Sequence, residues 1–158
     1  MSRTEPLLPQ LVESCLDADI EVRFGVDGLS MWPLIRPGDA VQVRRPGGEM
    51  PDLGDVVAVR GMPGGALLVH RVVRLRNGRF LLRGDNSTMA NGEHLAEAVV
   101  GVVSAVEREG RLVWYGAGKW GPLVAVLVRT GSINRFNRAA LLVRRLARRT
   151  PPGGSGAA

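Results

Sequence analysis

The chain has one cysteine, Cys15, which excludes an internal disulfide and a multi-cysteine metal site. Two histidines, His70 and His94, leave too few nitrogen ligands for a metal centre, so no metal and no cofactor are expected. No apolar run approaches the roughly 18 residues that a membrane span requires. The first residues, Met1 to Pro9, lack the basic start, apolar stretch and small-residue cleavage pattern of an export signal, which leads us to expect a location on the cytoplasmic side. Acidic side chains are missing altogether from residues 110–158, which hold nine basic ones and a net charge of +9; residues 1–109, with 12 basic and 15 acidic side chains, stand at −3. The formal charge of +6 therefore belongs to the tail.

What is present fits a single core-forming domain with an extension. The 158 residues are 45% hydrophobic, and ten prolines with 21 glycines favour short strands and many turns over a helical bundle. Leu7, Leu8, Leu11, Val12 and Cys15 fall at helical spacing, predicting a short amphipathic helix interrupted early by Pro9, with Cys15 as a small core residue. Strands are expected at Ile20–Phe24, Ala40–Val43, Val56–Val59, Leu67–Leu75, Phe80–Leu82, Val99–Val106 and Leu112–Tyr115. Asn77-Gly78 is the strongest hairpin signal in the chain. The division is a helix over residues 1–19, a β domain over 20–116, an apolar and basic segment over 117–150, and a disordered tail over 151–158.

The most informative stretch is Gly28-Leu29-Ser30-Met31-Trp32-Pro33-Leu34-Ile35-Arg36-Pro37-Gly38-Asp39. It sets one serine after a glycine bend, where the first strand runs out, and closes on a Pro-Gly-Asp turn. Alone, such a serine is ordinary turn chemistry, because its hydroxyl bonds nearby backbone. It has company, however: Gly54-Asp55 with Val56-Val57-Ala58-Val59, then Val69-His70-Arg71-Val72-Val73, then Leu82-Arg83-Gly84-Asp85-Asn86.

Ser-Met-x-Pro, two Gly-Asp turns, a base beside an arginine and a late Gly-Asp-Asn, in that order, resemble the signal peptidase and LexA-like serine peptidase superfamily over roughly residues 22–106. Many relatives use lysine as the base. Here the position before Arg71 is His70, so the chain looks more like the endoplasmic-reticulum and archaeal signal peptidases. The resemblance implies a mainly β fold, a coiled antiparallel sheet, to which the chain adds a short N-terminal helix and a C-terminal amphipathic helix. It also implies a serine endopeptidase acting on a polypeptide or preprotein substrate with small side chains around the scissile bond. Typical signal peptidases are tethered by a membrane-spanning helix, and the apolar runs of this sequence are not expected to supply one.

The chemistry follows from the residue types. A serine hydroxyl is a weak nucleophile at neutral pH and needs a base in hydrogen-bond reach. His70 can take that proton and return it to the leaving amine. A third group usually orients the imidazole. Where the histidine-type relatives carry an acidic pair beyond Gly-Asp-Asn, this chain has Ala90 and Asn91. Asp85 is the favoured third member, Asn91 and Glu93 remain open, and Asp85 can equally cap its own turn. The Ser30 amide can serve an oxyanion hole, but Gly28 stands where lysine-type relatives carry a hydroxyl donor. Met31 and Trp32 are candidates for the wall of a substrate groove, and His94 is expected to be solvated.

In the tail, Ser132 can N-cap a run from Ile133 to Arg149. Its wheel puts Arg138, Arg144, Arg145, Arg148 and Arg149 opposite an apolar half. With Trp120 and the apolar Gly121–Val128 before it, this reads as an in-plane anchor on an anionic membrane surface. Packing on the β domain is the rival reading. No nucleic-acid partner is expected. Two functional alternatives stay open: a non-catalytic peptide-binding module of the same fold, and a self-cleaving LexA-like switch, although the single Ala-Gly bond, Ala117-Gly118, lies behind the domain.

Overall fold

The structure, a computed structural model, describes residues 7–48, 50–61, 66–114 and 121–132. Helix α1 spans Leu7–Asp17. Pro9 does not interrupt it, because a proline in the first helical turn replaces an amide that has no partner there. Its Val12 and Leu16 are buried, and Cys15 is half-buried and free.

Eight strands follow: β1 Val22–Gly25, β2 Ala40–Arg44, β3 Val56–Arg60, β4 Leu67–Arg76, β5 Arg79–Arg83, β6 Glu93–Leu95, β7 Val99–Arg108 and β8 Arg111–Trp114. They form one antiparallel sheet in the order β1-β2-β7-β3-β4-β5-β6, with β8 paired to β7. Register shifts at Gln42/Val43, Ala58/Val59, Val72/Arg74 and Val106/Glu107 interrupt the ladder. Such bulges raise local twist, in keeping with the curled, half-barrel form of the sheet. The expected coiled β domain is thus observed, with strand β6 as an addition: residues 93–95 are too polar and too few to announce themselves.

Period-two alternation explains the core. In β3, Val56 and Ala58 enter one cluster with Val12, Leu16, Met31, Ile35, Val41 and Val43, while Val57 and Val59 enter another with Val72, Phe80 and Leu82. Both faces of this central strand are covered, which is why it reads as an uninterrupted apolar run. The β4–β5 hairpin turns at Asn77-Gly78 with φ of 50° and 69°, both in the left-handed region that Asn-Gly supplies.

Helix α2, Gly121–Arg129, packs on β4 with Ala125 and Val128 buried. Part of the expected anchor segment therefore belongs to the domain. No described helix is long and apolar enough to cross a membrane. Trp120, Ala117-Gly118, Tyr115 and the expected helix with Arg138, Arg144, Arg145, Arg148 and Arg149 lie outside the described residues, as does the 151–158 tail.

Candidate active site

Ser30 does not sit at the strand end itself. It lies five residues beyond β1, half-buried in a run of turns leading to β2. This loop is held at both ends. At its exit, Asp39 is buried; its Oδ2 accepts the Arg36 amide at 2.8 Å, and Arg108 donates to both of its oxygens at 2.8 and 2.7 Å. Burial opposes the Asp39 charge, but Arg108 and the Arg36 amide outweigh it and hold the carboxyl below its usual range. At its crown, the Asn86 amide donates to the Ser30 carbonyl at 2.7 Å, and Asn86 Nδ2 to the Leu29 carbonyl at 3.1 Å. The Gly-Asp-Asn turn is therefore stitched directly to the serine loop.

That turn also meets His70, which lies on β4 opposite Val57. A methyl group placed on Gly84 would sit 2.6 Å from the Ser30 carbonyl oxygen, 2.6 Å from Ser87 Oγ and 3.1 Å from His70 Nε2. Ser30, Ser87 and His70 thus converge on one glycine backbone. Only a residue without a side chain allows that approach.

His70 is 3% exposed, and neither ring nitrogen has a well-formed hydrogen bond among the described residues. Burial lowers the imidazole pKa from its ordinary value. The Asn91 side chain, close to the ring, and the Asp85 charge act in the opposite sense without prevailing. The ring is consequently a neutral acceptor near neutral pH, as a general base must be.

Asp85 is held by Arg71 and makes no hydrogen bond to this ring among the described residues. Arg71 Nε and Nη2 donate to its two oxygens at 2.7 and 2.8 Å, while Arg71 Nη1 donates to the Gly54 carbonyl at 2.7 Å. Both side chains are almost fully buried. This carboxylate forms a bidentate ion pair, the geometry that guanidinium favours, and its charge acts on His70 from there. The sequence placed Arg71 only as a neighbour of the base, since nothing in residue spacing shows that strand β4 and the turn after β5 would face it to Asp85.

Met31 also departs from expectation. It is 2% exposed and belongs to the core cluster, so it anchors the serine loop from below instead of lining a groove. Trp32 is half-buried and precedes a cis proline, Pro33. Glu93 is drawn outward to Arg74 at 3.0 Å. His94 is half-buried: its ring stacks on Phe80 at 5.8 Å between centroids, and Nε2 lies 3.0 Å from the Asn91 carbonyl. Asp55, in the second Gly-Asp turn, accepts the Asp52 amide at 2.9 Å, and burial raises its pKa. No group of His, Cys, Asp and Glu among the described residues is arranged to hold a metal.

The curled β domain, with its serine loop hydrogen-bonded to the Gly-Asp-Asn turn, fits a serine peptidase fold. Residues 10–104 match the Peptidase S24-like family, and the chain belongs to it. None of the curated proteins and none of the solved structures compared matches the chain.

Proposed function

We propose that the protein is a serine endopeptidase of the histidine type, in which Ser30 Oγ attacks a peptide carbonyl and His70 accepts its proton. The observation that carries this reading is His70 itself. An imidazole buried with no well-formed hydrogen bond at either nitrogen among the described residues costs stability without structural return, and it lies across the Gly84 backbone from the Ser30 loop. In this reading Asn91 takes the orienting place, as an acceptor for the ring proton. Its amide is fixed to the Leu82 carbonyl at 2.8 Å, and its side chain already favours protonated His70. An amide is a weaker orienting group than a carboxylate, so turnover is slow. The Ser30 amide serves the oxyanion. The substrate is a polypeptide in extended form, and processing takes place on the cytoplasmic side, at a membrane surface.

The test compares protein N-termini in the native host carrying the wild-type chain with those in a Ser30→Ala strain. Loss of a defined set of N-termini is expected, and the residues flanking those cuts give the specificity. Unchanged N-termini, with a folded Ser30→Ala chain and a phenotype on deletion, would replace this reading by a peptide-binding module. Intact mass of the purified chain separates a self-cleaving switch, for which Ala117-Gly118 is the candidate bond.

A further inference from the structure

Helix α2 is fastened to the domain at both ends, and each fastening reaches the frame of the candidate base. At its start Gly121 lies on the Gly54 turn: a Cβ placed on Gly121 would stand 3.5 Å from the Gly54 carbonyl, and a side chain on Gly54 would strike the Gly121 backbone. That same carbonyl accepts Arg71 Nη1, so the Arg71–Asp85 pair is tied to the turn on which α2 rests. At its end, a helix leaves four carbonyls without partners in its own ladder. Those of Val126 and Leu127 accept from Thr130, and that of Val128 accepts the Gly131 amide. The fourth, on Arg129, accepts Arg83 Nη1 of strand β5 at 3.2 Å.

Arg83 has a second hold. Its Nε donates to the Ser87 carbonyl at 2.8 Å. Ser87 closes the Gly-Asp-Asn turn, its amide donating to the Gly84 carbonyl at 2.9 Å, and Arg83 immediately precedes the Gly84 backbone on which Ser30, Ser87 and His70 converge. One planar guanidinium therefore ties the helix end to the turn. The ladder itself does not favour an arginine here: Arg83 is in register with Arg71 of β4, and like charges directly opposite destabilise a sheet. What the position gains is the pair of carbonyl bonds.

We infer that Arg83 is a positioning residue for His70: by bracing the Ser87 carbonyl against the C-terminal end of α2, it fixes the Gly84–Ser87 turn against which the imidazole packs. This deepens the peptidase reading and rests on it. The charge that acts on the ring is Asp85, which Arg71 holds. Substitution of Arg83 leaves that ion pair in place, so its effect on the ring travels through the turn.

The test follows the imidazole C–H resonances of the full chain through pH by NMR, with His70→Gln to tell His70 from His94. Arg83→Met keeps the aliphatic stem and loses both bonds. Water then reaches the ring, and the His70 titration is expected to rise toward the ordinary 6.5. Arg83→Lys keeps the charge, but a single ammonium does not span both carbonyls, and the same rise is expected. In both variants kcat should fall about tenfold with KM little changed. Leu16→Ala, which removes core volume at α1, should lower the urea midpoint and leave the His70 titration at the parent value. A parent-like titration in Arg83→Met would overturn the assignment. So would a parent-like titration in Arg83→Lys, which would reduce the effect to charge, or an equal rise in Leu16→Ala, which would reduce it to general loosening. Failure of the peptidase reading appears separately, as absent turnover in the wild-type chain with the His70 shift in Arg83→Met still present.

Discussion

Two Gly-Asp turns each set an aspartate against an arginine, and they differ in how far water reaches the pair. At Gly38-Asp39 the partner, Arg108, keeps 26% of its side-chain surface, against 2% for Asp39. At Gly84-Asp85 the values are 1% for Arg71 and 0% for Asp85. The first pair is a strut at the loop's exit, with one end wet. The second is sealed beneath the histidine strand, and its third guanidinium nitrogen is bound by the Gly54 carbonyl. A similar motif therefore closes a loop in one place and fixes the frame of the candidate base in the other. Sequence spacing makes the two look alike; burial separates their energetics.

Removing one partner from each pair tests that contrast. Asp85→Ala leaves a buried guanidinium without its counter-charge, and a loss of about 3–5 kcal/mol in urea denaturation is expected. Asp39→Ala strands a partly hydrated Arg108 and one loop amide, and about 1–3 kcal/mol is expected. Equal losses would show that water exposure does not distinguish the pairs. Replacing both members of the buried pair, Arg71→Met with Asp85→Leu, should recover most of the lost stability, because no charge is left unpaired.

A finer contrast lies in the glycines of the two turns. Gly84→Ala drives a methyl into Ser30 and His70 at once. Displacement of the candidate pair is expected to lower kcat about 100-fold with KM little changed. At Gly38 a methyl meets open space, but the backbone has φ of +87°. Gly38→Ala should cost about 1–2 kcal/mol of stability and leave kcat near that of the parent. If both variants lose activity alike, the Gly84 contact is not what positions Ser30 and His70.

These contrasts also mark what the sequence could and could not disclose. The strands were legible because alternation and Asn-Gly chemistry are local, and β2, β3, β4 and β7 lie where apolar patterning puts them. The grouping of Ser30, His70 and Asp85 was an expectation carried by motif order and the family resemblance, whereas the Asn86 bond to the Ser30 carbonyl had no sequence signal. The Asp85–Arg71 pair was not legible either, because it spans two strands and depends on side-chain direction within a curled sheet. Met31 misled for a similar reason: a residue beside a serine in a turn can point into the core, and only packing decides. His94 was hidden because β6 has three residues and no pattern long enough to read, so its stacking on Phe80 had no sequence signal.

The smallest expected effect is a difference in pH response between His70 and Asp39. Burial lowers the folded-state pKa of His70 below the ordinary 6.5, so between those values the unfolded chain binds the extra proton. Stability from this group is then complete above about 6.5 and falls as pH drops through the folded value. Asp39 is also lowered, from 3.8, so its contribution persists above that value and is lost only as pH falls through its lower folded pKa. Urea midpoints measured between about pH 5 and 7 should therefore fall toward acid in the parent and flatten in His70→Gln, whereas Asp39→Asn should shift the whole curve down without changing its slope there. The activity limb should follow the same imidazole, with kcat/KM reaching its plateau below the pH at which an exposed histidine would. A stability slope unchanged by His70→Gln would mean that the ring is not held neutral by burial, and the buried base on which the catalytic reading rests would lose its physical support.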